Sequence, residues 1–175
     1  DMTRTFFTAA PGEEERRVYE TVLAAQLAAE AMVKPGVSTK QIDKAVYDYI
    51  VSQGAKPSFL GYNGFPGSIC ASVNNTVIHG IPGGYVLQEG DIVSVDVGAY
   101  YEGFHGDCAA TFPCGKITAE AQRLIDVTKQ SFFEGIRFAT RGHRVSDISH
   151  AIQTYVESNG FSVVRTFVGH GVGAQ

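Results

Sequence analysis

The segment DVGAYYEGFHGD, residues 96–107, begins and ends on an aspartate and turns back on itself between them. Residues 92–100, IVSVDVGAY, alternate with the period of a half-buried strand. Val93, Val95 and Val97 fall on one side, and Ser94, Asp96 and Gly98 on the other. Residues 104–112, FHGDCAATF, alternate as well, with Phe104, Cys108, Ala110 and Phe112 set against His105, Asp107 and Thr111. A turn centred on Tyr101-Glu102 sets Asp96 directly opposite Asp107, Val95 opposite Cys108 and Val93 opposite Ala110. A bulge at Gly103 is the feature that would shift this register. One face of the hairpin is then apolar, and the other collects Ser94, Asp96, His105, Asp107 and Thr111.

Like charges facing each other across a ladder are destabilising. At about 4 Å and an effective dielectric near 20 the repulsion is about 4 kcal/mol. It is relieved if one carboxyl keeps its proton, if both reach open water, or if a cation lies between them. Three readings follow: an exposed hairpin with solvated aspartates, an acid pair of the glycosidase kind (usually wider apart), or a metal site. A metal site needs further ligands from elsewhere in the chain. His170, in VGHGVG, is the leading candidate, because its flanking glycines let the backbone approach closely and leave the imidazole unobstructed. The plain alternative is a loop histidine, and His79 in NNTVIHGIP has the same two readings. Aspartate oxygens with one imidazole suit manganese, iron, cobalt or zinc.

The elements that position these residues follow from periodicity and punctuation. A first helix is expected from the Glu13-Glu14-Glu15 cluster, which suits the positive end of a helix dipole, to about Lys34, where Pro35-Gly36 stops it. Ser38 with Gln41 forms a capping box, and Ile42, Ala45, Val46, Tyr49 and Ile50 keep helical spacing until Gly54. Residues 57–75 are loops rich in Pro, Gly and Asn around a short strand in SICASV. A second long helix is expected over 119–140, and a further one carries Ile148, Ala151, Ile152, Tyr155 and Val156. A shift of 106 residues superimposes Gly36 on Gly142, Ile42 on Ile148, Tyr49 on Tyr155 and Gly54 on Gly160. The match predicts a duplicated helix-helix-strand unit, two halves about a pseudo-twofold axis, and a cleft between them suited to a ligand.

The bulk of the chain narrows the classes. Its 175 residues suffice for one domain with a core. A net charge of -4 offers no electrostatic case for nucleic acid or an anionic membrane. No apolar run approaches the roughly 20 residues needed to span a bilayer. DMTRTFF lacks the basic start and apolar stretch of a signal peptide. Three cysteines without a CxxC pair argue against a disulfide framework or a structural zinc, and for a reducing cytoplasm.

In order and spacing, SVNNTVIHGIP, LQEGDIVSVDVGAYYEGFHGDCAATF and FVGHGVG resemble the type I methionine aminopeptidases, with similarity from about Glu13 to the last residue. The resemblance implies an α+β pita-bread fold: a curved antiparallel sheet, helices on its outer face, and pseudo-symmetric halves. It implies removal of the N-terminal methionine from nascent polypeptides by two divalent ions of the cobalt, manganese, iron or zinc class. In that family pattern Asp96 binds one metal, Asp107 bridges both, and His170 is the histidine ligand. His79 contacts the substrate near the scissile bond, and Tyr62, Phe65 and Cys70 line the methionine pocket. Phe65 replaces a tyrosine common there.

The chain stops at GVGAQ, before the places of the family's second catalytic histidine and its two glutamate ligands. The expectation is therefore a single catalytic domain over 1–175, incomplete at its C-terminus, with fewer or more weakly held metals and little activity alone. The alternatives are a non-catalytic peptide-binding relative or a fragment completed by another chain, and a proline-directed aminopeptidase. A cytoplasmic monomer is expected, with the ribosome as a candidate partner and no nucleic acid or membrane bound directly.

Overall fold

The computed structural model describes residues 2–5, 7, 9–167, 169–172 and 174. Val168 and Gly173 of the FVGHGVG stretch lie outside the described residues. Contacts divide the chain into two compact units, essentially Thr3–Thr118 and Ala119–Gly171.

The first unit opens with a short strand β1 (Met2–Thr3) and helix α1 (Glu13–Met32). The Gly12 amide donates to the Glu15 carboxylate at 2.6 Å, which ties down the first turn. The helix ends two residues before Lys34, as expected where Pro35 excludes helical geometry from the residue ahead of it. Helix α2 (Thr39–Ser52) begins at the anticipated capping box: Ser38 N donates to Gln41 Oε1 at 2.8 Å, and Gln41 N to Ser38 Oγ at 3.3 Å. A short strand β2 (Lys56–Pro57), a single 3-10 turn at Tyr62–Gly64 and strand β3 (Ile69–Val73) follow, then strands β4 (Ile92–Tyr101) and β5 (Phe104–Pro113).

All five strands form one sheet in the order β1-β5-β4-β2, β3 shares with β2 the second edge of β4, and β4 runs antiparallel to β2, β3 and β5. The apolar face carries Val93, Val95, Val97 and Ala99 of β4, none of them exposed, with Ile69 and Ala71 of β3 and Cys108 of β5. Helix α1 covers it with Val18, Val22, Ala25 and Ala29, and α2 adds Ile42, Val46 and Ile50. Contact is close at Gly106, where a Cβ would sit 3.0 Å from a methyl of Val22. The hydrophobic effect thus fastens one face of the hairpin to the helices and leaves the other for chemistry.

The β4–β5 register differs from the expected one by two residues. Asp96 pairs with Ala109, Gly98 with Asp107, Val97 with Cys108 and Val93 with Phe112. The turn is Glu102-Gly103, with φ +46° and +93°, rather than Tyr101-Glu102. Two-residue hairpins of this twist require positive φ at both central positions, which a glycine accepts without a Cβ clash. A slip of two preserves the faces, so the alternation of apolar and polar positions stands while the direct opposition of Asp96 and Asp107 does not.

The second unit holds helices α3 (Ala119–Ile136) and α4 (Val145–Ser158). Helix α3 ends four residues early, where the amides of Phe138 and Ala139 turn to carbonyls three residues back. The internal match is visible in backbone geometry. Helices α2 and α4 are both 14 residues long. Gly36 and Gly142 have φ of +89° and +98°, and Gly54 and Gly160 of +76° and +79°. Among the described residues no strand follows α4, so the recurrence covers the helix pair. No helix among the described residues is long and apolar enough to cross a membrane.

The loop from β3 to β4 is tied by Asp91. Its carboxylate accepts from Asn74 Nδ2 at 2.8 Å, Tyr85 Oη at 3.0 Å and the Gln88 amide at 2.9 Å. Burial alone would raise its pKa; the hydrogen bonds from Asn74, Gln88 and Tyr85 outweigh it and hold the carboxyl below its usual range. Replacing Asp91 by Ala should cost roughly 3 kcal/mol, read as a lowered urea midpoint. Because the folded pKa is depressed, the contribution of Asp91 is complete above the ordinary carboxylate pKa of about 4 and is lost as pH falls through the folded value. Asp91→Ala should therefore show a smaller loss of stability than the parent between about pH 5 and about pH 2.

Candidate active site

Residues paired across an antiparallel ladder point to the same side, so the polar face of the sheet can be read from the register. It holds Cys70 and Ser72 of β3, Ser94, Asp96 and Gly98 of β4, and His105, Asp107, Ala109 and Thr111 of β5. Asp96 lies between Cys70 on one neighbour and Ala109 on the other, and Asp107 lies opposite Gly98. The two aspartates are diagonal neighbours, each facing a small residue, which leaves room for the carboxyls to lean together. Across this diagonal the charge of Asp107 acts directly on the Asp96 carboxyl.

The electrostatics follow from that proximity. Burial, first, and then the negative charge and hydrogen bond of Asp107 push the Asp96 carboxyl well above the ordinary carboxylate range. Asp96 Oδ1 is buried without a hydrogen-bond partner, as is Ser94 Oγ. A solvated pair would show neither feature, so the exposed-hairpin reading is set aside. Cys70 is pushed up to about 12 by burial and then by the charges of Asp96 and Asp107, which keeps it a neutral thiol. A divalent cation fits Asp96 and Asp107: it would satisfy the orphaned oxygen and turn the repulsion into attraction.

The loops flanking this face carry the other anticipated residues. Gly80 docks on β3, with the Ala71 amide donating to Gly80 O at 2.8 Å and the Gly80 amide to Ser72 Oγ at 3.0 Å. A side chain at Gly80 would collide with the backbone of Ala71 and Ser72. The preceding His79 is exposed and has a positive φ of +55°, uncommon for a residue with a side chain and a mark of a conformation imposed by its surroundings. It stands one strand removed from Asp96, beyond β3. Tyr62 is 70% exposed on the 3-10 turn, Phe65 is half-buried just after it, and Cys70 is buried on β3. Asp43 of α2 fixes the end of this loop by accepting from the amides of Ser68 at 2.7 Å and Ile69 at 3.1 Å.

The structure thus brings Cys70, Asp96 and Asp107 onto one face and His79 beside β3. His170 belongs to the second unit, where it is exposed and its Nδ1 lies 3.1 Å from the carbonyl oxygen of Gly171. Among the described residues no three or more His, Cys, Asp or Glu side chains form a group able to hold a metal.

Two supports of the site escaped sequence reasoning. Gln26, 2% exposed, reaches from α1 to both strands of the hairpin: its Nε2 donates to Cys108 O at 3.0 Å and Val95 O at 3.4 Å, and its Oε1 accepts from Cys108 Sγ at 2.9 Å. The signal was a glutamine within the apolar stripe of Val18, Val22, Ala25 and Ala29. Arg4 adds a second brace, donating to Ala109 O at 2.6 Å. Nothing in its sequence context marks that role.

Comparison with known proteins places this geometry. A model of metallopeptidase family M24 matches residues 1–63 and 58–175. Methionine aminopeptidase 1 of Bacillus subtilis is 56% identical over 141 residues, which are 81% of this chain and 57% of that protein. The chain thus spans little more than half the length of this curated relative. The crystal structure of methionine aminopeptidase from Thermotoga maritima superposes with a TM-score of 0.91 at 37% identity, covering 98% of this chain and 70% of that one. The Rickettsia prowazekii methionine aminopeptidase structure gives 0.83 at 36% identity, covering 99% and 70%. The α+β pita-bread architecture expected from the sequence is the fold of this chain. With its carboxylate hairpin, its fold and its sequence in agreement, the chain belongs to metallopeptidase family M24.

Proposed function

We propose that the protein removes the N-terminal methionine from newly made polypeptides by metal-assisted peptide hydrolysis, residues 1–175 being part of one catalytic domain. The observation that carries this reading is the half-buried pair Asp96 and Asp107, with an orphaned Asp96 oxygen, on a face that also holds Cys70 and has His79 beside it. Asp96 and Asp107 would hold two divalent ions of the cobalt, manganese, iron or zinc class, with His170 as a further ligand. Such ions supply Lewis acidity to polarise a peptide carbonyl and to make water acidic near neutral pH.

The chain's own residues do the rest. His79, held at the β3 edge by the docking of Gly80, contacts the substrate beside the scissile bond and offers an imidazole for hydrogen bonding there. Tyr62, Phe65 and Cys70 line the side-chain pocket. A neutral thiol and two aromatic rings suit a polarisable thioether and give a charged side chain no partner. Phe65 lacks the hydroxyl of a tyrosine and makes that wall less polar. The protein is read as a cytoplasmic monomer that meets its substrates at the ribosome and binds neither nucleic acid nor membrane.

Supplied with cobalt or manganese, the whole protein should release methionine from Met-Ala-Ser, and residues 1–175 alone little or none. Peptide binding without turnover would instead support a non-catalytic relative or a fragment completed by another chain, and faster cleavage of Xaa-Pro peptides a proline-directed enzyme. The methionine aminopeptidases among the relatives favour the first outcome. Asp107→Asn should weaken divalent-ion binding roughly tenfold or more by calorimetry and lower methionine release by about a hundredfold. Retention of both metal and turnover in that variant would remove the ligand assignment.

A further inference from the structure

The segment that enters the substrate loop runs along the edge of β4 and is fastened to the hairpin. Lys56 and Pro57 pair with Tyr100 and Ala99, and the Ser58 amide donates to Gly98 O at 2.9 Å. Ser58 Oγ and His105 Nδ1 are hydrogen-bonded at 2.8 Å. The imidazole is set by the ring of Tyr100, its cross-strand partner, with centroids 4.8 Å apart and planes inclined by 51°. The ring of Phe59 fills the space above Gly98, where a Cβ would come within 2.6 Å of it. Gly98 is the residue opposite Asp107. Past Phe59 the chain folds through Gly61, the 3-10 turn and Phe65, with the Tyr62 amide donating to Phe59 O at 3.0 Å and the Gly61 amide to Phe65 O at 2.8 Å.

This loop has two kinds of anchor. Its far end is fixed by Asp43, through the amides of Ser68 and Ile69. At its near end the Ser58–His105 bond is the side-chain link between the loop and the strand that carries Asp107, two residues further on and on the same face. We infer that His105 is a positioning residue. Through Ser58 it sets where the loop bearing Tyr62 and Phe65 stands relative to the Asp96–Asp107 pair, and so governs capture of the substrate's first side chain rather than the chemical step. The inference rests on the reading of Tyr62 and Phe65 as the wall of that pocket.

Ser58→Ala, His105→Ala, His105→Asn and the double alanine variant of the metal-loaded full-length protein test it. With Met-Ala-Ser, either single alanine variant should raise KM about five- to tenfold and leave kcat within about twofold, the size of one lost hydrogen bond felt in binding alone. The double variant should be no worse than either single one, since both remove the same bond. His105→Asn, whose amide reaches the position of Nδ1, should recover most of the loss. Independently of turnover, the amides of Gly61, Tyr62, Gly64 and Phe65 should exchange hydrogen faster in both alanine variants, with metal content unchanged. Additive effects of the two substitutions, unchanged exchange at those amides, or loss of kcat together with metal would overturn the positioning role. A parent protein that releases no methionine sinks the proposed function, while the exchange comparison still decides the latch.

Discussion

Two carboxylates held side by side and half-buried are an expensive arrangement, and much of the first unit can be understood as what makes it possible. Asp96 and Asp107 are diagonal neighbours on the polar side of the β4–β5 hairpin, and burial keeps the Asp96 carboxyl reluctant to ionise. In a flexible loop the pair would relax by turning toward solvent. Here the strands carrying them cannot move, because the opposite face is a close-packed layer of valines, alanines and helix side chains with almost no exposure. Hydrophobic burial on one side thus supplies the rigidity that electrostatic repulsion on the other side requires.

Rigidity alone would not place the carboxyls side by side. The register does so by setting each aspartate across from a small residue, Ala109 or Gly98, so that the two meet on the diagonal. The backbone braces act on the same strands. Gln26 holds carbonyl oxygens of both β4 and β5 from the helix side, and Arg4, just after β1, holds that of Ala109. A buried amide is tolerated within an apolar helix stripe because its donor and its acceptor are both used. The surrounding loops follow a related logic: Asp43 and Asp91 each gather several donors on one carboxylate, fixing the segments that carry Phe65 and His79.

How much of this could be read in the chain differs by element. The helices were legible because their signals are local: the Ser38–Gln41 capping box, the Pro35 stop, and the glycines at 36, 54, 142 and 160 that accept positive φ. Recurrence of the helix pair after 106 residues was legible for the same reason. The hairpin faces were legible from alternation, and the candidate site residues from motif order. The turn was not, because Tyr101-Glu102 and Glu102-Gly103 both close a hairpin, and choosing between them depends on the positive φ at both central positions. The family resemblance offered Cys70 as a candidate for the substrate pocket. That its thiol also shares a strand pair with Asp96 came only from the sheet.

Amino-acid sequence by itself settled the main pattern of this protein: where the long helices, β3 and the hairpin strands lie, which face of the hairpin is apolar, and which family its motifs belong to. These properties arise from neighbours a few residues apart along the chain, where periodicity and capping act. Tertiary structure alone decided that the aspartates meet diagonally and that an Asp96 oxygen is buried without a partner, that Phe59 requires a glycine at 98, and that Ser58 and His105 come into contact. Each of these joins residues distant in sequence or depends on a ladder register. Such relations are set by the packing of helices and strands as a whole, which no local pattern encodes.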